Sequence, residues 1–158
     1  GLDAVENVRL AAQVALGGSL SIVRFPHTSD RATTIAMERI EEVGLAHHAH
    51  TEAGVLSHGD KRKLEIAMLL AAEPTVILLD EPMAGVASGD VPGLVEVIRN
   101  LHQTSGRTVL MVEHHIDVVL GLVDTVAVMH HGQLLAHDTP EAVMANPAVQ
   151  GAYLGDVA

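Results

Sequence analysis

Apolar residues fall along this chain in two rhythms, and the change between them divides it. Up to residue 73 the rhythm is helical. Val5, Val8, Ala12 and Ala15 lie at helical spacing, with Glu6 and Arg9 off that stripe, and they predict an amphipathic helix over 2–15. Gly17-Gly18-Ser19 breaks it, and 21–26 fits neither rhythm. Asp30 is placed to cap a second helix, in which Ala32, Ile35, Ala36, Ile40 and Val43 keep the same spacing. Gly44 sits where a left-handed C-terminal residue belongs. After a His-rich connector over 45–51, Leu64, Ala67, Met68 and Ala71 predict a third helix over 60–72, ended by Pro74.

From residue 76 strands and helices alternate. Val76-Ile77-Leu78-Leu79 is an unbroken apolar run, the pattern of a strand buried on both faces. A helix over 91–101 follows, with Leu94, Val95, Ile98 and Leu101 inward. Gly106 turns the chain into a second buried strand, 108–112, and then come a short helix over 116–122 and a third strand over 125–129. His131-Gly132 marks a turn into a hairpin partner at 133–136, and 140–145 and 147–154 read as short helices. This alternation predicts an α/β fold with a parallel sheet. The expected organisation is a helical part, 1–73, a sheet part, 74–140, and a helical tail, 141–158. No internal repeat, low-complexity tract or flexible linker interrupts it.

A length of 158 residues suits one domain, and 48% hydrophobic residues can build its core. Aromatics make up only 1%, so Leu, Val, Ile, Met and Ala must fill that core. Nine basic against 20 acidic residues give 9 − 20 = −11, which argues against a nucleic-acid partner. Without Cys there is no disulfide framework, thiolate metal site or Cys nucleophile, which fits a cytosolic protein. No signal peptide is expected. The apolar runs are too short for a spanning helix, which needs about 20 residues.

Three places carry candidate chemistry. Asp80-Glu81 ends the first strand, so the sheet's carboxyl edge receives two acids. One can hold Mg²⁺; the other, pointing elsewhere, can orient and deprotonate a water. A strand end capped by solvated charges explains the pair alone equally well. Ser57-His58-Gly59 opens a helix, a natural anion seat of backbone N–H groups and helix dipole, though an ordinary N-cap by Ser57 alone explains it better. Glu113-His114-His115 follows the second strand, where a His can face a phosphate or be a plain loop residue. Gly54-Val55-Leu56-Ser57-His58-Gly59 has the glycine spacing of a phosphate loop, but Asp60 stands where Lys is required, Arg62 follows Lys61, and no strand precedes it. No Gly-x-x-x-x-Gly-Lys-Ser/Thr occurs elsewhere. His47, His48, His50, His130 and His131 lack the paired spacing of a zinc site and read as solvated loop residues.

Together these segments resemble the ATP-binding-cassette (ABC) ATPases. Leu56-Ser57-His58-Gly59-Asp60 resembles their signature motif, usually Leu-Ser-Gly-Gly-Gln. Leu78-Leu79-Asp80-Glu81-Pro82 resembles Walker B with its following glutamate. Ala84-Gly85-Val86-Ala87 falls at the D-loop and Val112-Glu113-His114 at the switch histidine, in matching order and spacing. The stretches 57–67 (SHGDKRKLEIA), Val112-Glu113-His114 and 146–155 (NPAVQGAYLG) are most similar to ATP-binding subunits of branched-chain amino-acid importers. The resemblance covers essentially the whole chain and begins at a point just after the family's Q-loop.

The resemblance implies a partial P-loop NTPase fold, a helical subdomain followed by the C-terminal half of a mainly parallel sheet. It implies ATP and Mg²⁺ as ligands. Asp80 would help hold Mg²⁺, Glu81 would be the general base, and His114 would contact the γ-phosphate. Ser57, His58, Gly59 and Asp60 would face a nucleotide held by a second ATP-binding subunit. The expected partners are that subunit and membrane permease subunits, with the chain peripheral to the membrane at its cytoplasmic face. Asp60 replaces the usual Gln, Ala87 replaces the usual D-loop Asp or Asn, and the phosphate loop and Q-loop are missing from the 158 residues. The chain alone is therefore expected to bind ATP poorly, and the strands at 108–112 and 125–129 are not expected to pair. A gap between those strands would leave the chain marginal, or closed by strand swapping or dimerisation. Two other readings stand beside this one: a non-catalytic binding or assembly module docking on a permease or an intact ATPase subunit, and a different metal-dependent hydrolase using Asp80 and Glu81.

Overall fold

The computed structural model describes residues 1–17, 31–103 and 105–154. The expected break at Gly18-Ser19, the segment 21–26 and the Asp30 cap lie outside the described residues. The chain forms two compact units, Gly1–Val112 and Glu113–Ala158.

In the first unit, helices α1 (Ala4–Ala15), α2 (Arg31–Glu42) and α3 (His58–Leu70) pack together. Asp3 caps α1, its carboxylate accepting the Glu6 N–H at 2.8 Å. Val5, Val8 and Ala12 are buried as expected, but Ala15 is exposed and Arg9 is buried. Arg9 belongs to the 5, 8, 9, 12 stripe. Glu6, 3.0 Å away, neutralises it, and Gln13 accepts from it at 3.0 Å, so its burial is compensated. The whole predicted stripe of α2 is buried, through Val43. Gly44 has φ +75°, and the N–H of Leu45 reaches back to the Ile40 carbonyl, closing the helix end. On α3 the buried side is Leu64, Ile66, Ala67 and Leu70; Met68 is exposed.

Strands β1 (Val76–Asp80) and β2 (Thr108–Val112) pair in parallel, Val76 opposite Thr108 and Asp80 opposite Val112, with α4 (Val91–Gln103) as the crossover. Leu94, Ile98 and Leu101 of α4 are buried, with Val97 rather than Val95 completing the face. Ile77 and Leu79 are buried. The other sheet face is not. Val76, Leu78, Leu110 and Val112 are 55–68% exposed, so β1 is buried on one side only and β2 is no more than half-buried on that side, against the expectation of two buried faces. The apolar run was a sound strand signal, but burial on two faces needs a second covering layer. The Arg107 guanidinium, just before β2, pairs with Glu42 at the end of α2 at 2.5 Å and ties the helices to the sheet.

The second unit holds α5 (Ile116–Leu120), the antiparallel hairpin β3 (Val126–His130) and β4 (Gln133–Asp138), α6 (Pro140–Met144) and α7 (Pro147–Leu154). His131 and Gly132 both have positive φ, 48° and 76°, as a two-residue hairpin turn of this hand requires. Thr139 caps α6. Val128, Val143 and Val149 form the core, with Val126, Leu135 and Ala136 against it. Each unit thus has its own two-stranded sheet among the described residues, β1–β2 in the first and β3–β4 in the second. Among the described residues, no helix is long and apolar enough to cross a membrane.

Candidate functional site

Ser57 is the N-cap of α3. Its Oγ accepts the Asp60 N–H at 3.0 Å and donates its own proton to Asp60 Oδ2 at 3.1 Å. The carboxylate at the third helical position also faces Lys63 Nζ at 3.6 Å and His48 Nε2 at 3.9 Å. A negative charge there suits the helix dipole. Gly59 is buried, and a Cβ at that position would lie 2.6 Å from Asp90 Cβ and 2.9 Å from Asp90 Oδ2. Gly59 therefore has a packing reason to be glycine beside any ligand reason. His58 is exposed. The start of α3 is lined by two of the chain's own carboxylates, Asp60 on Ser57 and Asp90 on Gly59. An arriving phosphate would meet like charge, worth about 4 kcal/mol per unit pair at 4 Å near a surface. The α3 seat fits a phosphate only if those carboxylates turn away or a cation screens them.

Asp80 is the last residue of β1 and is exposed. Glu81, also exposed, continues the ladder by one bond, its N–H donating to the Val112 carbonyl at 2.9 Å. Its φ is then +45°, a left-handed conformation that residues other than glycine seldom adopt. The strand thus ends in a sharp turn at Glu81. Asp80 borders a cavity of about 140 Å³ with Arg62, Leu69, Leu78 and Pro82. Arg62 pairs with Glu65 at 2.7 Å and reaches the Ala84 carbonyl at 3.5 Å, so α3 and the turn after β1 are brought together. Hard carboxylate oxygens at a strand end match Mg²⁺ chemistry.

His114 belongs to the second unit. Its ring is exposed, its N–H donates to Glu113 Oε2 at 3.0 Å, and its Nδ1 lies 3.9 Å from that oxygen. The Glu113 side chain is wholly buried and also accepts from His115, at 3.3 Å from the backbone and 2.9 Å from Nδ1. Of the other histidines, His48 bonds Thr51 at 3.2 Å and His50 faces Asp3 at 3.3 Å.

Asp90, Arg62 and Glu42 were not singled out by the sequence. A glycine at the second position of a helix was the available signal that something presses on α3, but nothing local named Asp90. Glu42 is coupled to the same frame. Burial raises its pKa, yet hydrogen bonds from Arg107 and Arg39, and then their charges, outweigh burial and hold the carboxyl below its usual 4.5.

Comparison with known proteins gives the chain a family. The ABC transporter family profile matches residues 3–84, and a profile described as branched-chain amino acid ATP-binding cassette transporter matches 133–158. The chain is 34% identical over 160 aligned residues to the high-affinity branched-chain amino acid transport ATP-binding protein LivG of Escherichia coli (strain K12), and 34% identical to BraF of Pseudomonas aeruginosa. Each alignment covers 98% of this chain and 63% of the relative, so the chain spans less than two thirds of their length. An ATP-binding cassette of an ABC transporter solved in its ADP conformation superposes with a TM-score of 0.80 at 29% identity, over 98% of this chain and 63% of that one. A nucleotide-free cassette gives 0.78 at 27%, over 98% and 64%.

Proposed function

The chain belongs to the ABC transporter family, and from that premise we propose that it is part of the ATP-binding, ATP-hydrolysing subunit of an importer for branched-chain or related amino acids. The observation that carries this is the pair of profile matches at its two ends. The general family profile covers the signature and Walker B segments, and the branched-chain profile covers the tail. We read 1–73 as the helical subdomain, 74–140 as the second half of the catalytic core and 141–158 as the tail.

In this reading the residues divide the work. Asp80 sits where an exposed oxygen can bind Mg²⁺, which would neutralise triphosphate charge. Glu81, turned out of the strand by its left-handed backbone, takes the proton of the attacking water as general base. His114, exposed after β2, supplies a ring nitrogen to the γ-phosphate. Ser57, His58, Gly59 and Asp60 face a nucleotide held by a second ATP-binding subunit, and Asp60 must release the Ser57 hydroxyl first. The permease and second subunit are the partners, and the place of work is the cytoplasmic face of the membrane. A chimera tests this: the phosphate-loop-bearing part of a LivG relative joined to this chain, assembled with that relative's permease. The expected result is ATP-driven leucine uptake that Glu81→Gln abolishes. A folded chimera whose ATP hydrolysis is indifferent to Glu81→Gln would overturn the assignment.

The alternative, a non-catalytic assembly module, draws on the occupied Ser57 hydroxyl. It predicts that the chimera is inactive while the chain still binds an intact subunit.

A further inference from the structure

We propose that Glu113, His114 and His115 form a binding site for one divalent cation of the zinc class. The site stands on its own geometry; only its effect on catalysis rests on the function proposed above. Their donor atoms lie within 4.8 Å of one another, and among the described residues no other three His, Cys, Asp or Glu side chains converge so. Two imidazoles and a carboxylate are the mixed nitrogen and oxygen set that Zn²⁺ takes.

The distances suit that ion. Metal–ligand bonds of about 2.05 Å in tetrahedral geometry put neighbouring donors about 3.3 Å apart. Here Glu113 Oε2 is 2.9 Å from His115 Nδ1 and 3.9 Å from His114 Nδ1, on either side of that separation. To admit the ion, the His114–Glu113 pair closes by about 0.6 Å and the two ring donors, within 4.8 Å of each other, by at most about 1.5 Å, movements open to exposed imidazoles turning about their side-chain bonds. The carboxylate is already anchored. It is 0% exposed and held by the backbone N–H groups of His114 and His115, at 3.0 and 3.3 Å. Outer hydrogen bonds of this kind orient a ligand before the metal arrives. The two rings are 62% and 51% exposed, with centroids 4.2 Å apart, so the ion can enter from solvent and keep water at its remaining position.

The chain's other His-His pairs make an internal control. His47–His48 and His130–His131 hold their rings equally close, at 4.2 and 4.1 Å, but neither forms a three-ligand group with a carboxylate. The net charge of −11 concentrates cations around every one of these sites, so the carboxylate between the rings is what sets 113–115 apart. A bound ion takes His114 Nδ1 and pins the ring, which would withdraw His114 from a γ-phosphate.

The test is a zinc chloride titration of the 158-residue chain, followed by ¹⁵N-edited NMR of the histidine rings. The expected result is that the His114 and His115 resonances move together and first, saturating at micromolar zinc. His115→Ala and Glu113→Gln should each weaken binding tenfold or more, and His131→Ala should leave it unchanged. The backbone amide spectrum checks that the variants stay folded. If the rings of 47, 48, 130 or 131 respond first, or if folded His115→Ala titrates like the parent chain, the site does not exist. In the chimera, zinc should inhibit ATP hydrolysis; zinc that binds at 113–115 yet leaves hydrolysis untouched would overturn the effect on His114.

Discussion

Glu81 is held in a left-handed conformation by the bond from its N–H to the Val112 carbonyl and by the turn that follows. A side chain in that region costs of order 1 kcal/mol, which glycine does not incur. Glu81→Gly and Glu81→Ala remove the same carboxylate, so their difference isolates the backbone. In urea denaturation the Gly variant should be the more stable by about 1 kcal/mol; equal midpoints would mean that the turn carries no strain. Glu42 makes the second prediction at this scale. Its carboxyl is held below 4.5 in the folded chain, so its stabilising effect is present above the unfolded value and is lost as pH falls through the folded one. Thermal stability should drop on acidification below about pH 4.5, and Glu42→Gln should be less stable at neutral pH and less sensitive to acid in that range. A variant with the parent's pH profile would show that the Arg107 tie contributes nothing.

Among the elements, the β1–β2 sheet leaves one face uncovered. Leu78 and Leu110 are cross-strand partners on its open face, 68% and 61% exposed. Exposed apolar patches of this kind bind dyes and each other. Leu78→Thr with Leu110→Thr should lower the fluorescence of bound anilinonaphthalene sulfonate and reduce concentration-dependent light scattering. The loss of stability should be small, about 0.5 kcal/mol, because little burial is removed. Unchanged scattering would place the adhesive surface elsewhere. The positions of these elements were legible in the sequence, because helical spacing and β-branched runs are local. Their faces were less so. Arg9 was set off the stripe for its charge, although Glu6 and Gln13 stood at the spacings that neutralise it. Val97 and Ile66 replaced Val95 and Met68 because inward faces depend on the neighbouring layer, which periodicity does not see.

At the scale of the whole molecule, the order of motifs was enough to find the family, because Ser57-His58-Gly59, Asp80-Glu81 and His114 keep their spacing in sequence. The contacts that qualify those motifs were not legible. Asp90 against Gly59 and Arg107 on Glu42 join residues 31 and 65 positions apart, and no local pattern announces such pairs. They matter for the central claim, that these residues supply the signature and Walker B half of a nucleotide site and not its phosphate loop. Calorimetric titration with MgATP tests it most directly, first on the 158-residue chain alone and then with the phosphate-loop-bearing segment of a LivG relative added. The expected result is no measurable binding alone and binding once the segment is present. Micromolar binding by the chain alone would contradict it, because Ser57, Gly59, Asp80 and His114 would then suffice to hold the nucleotide.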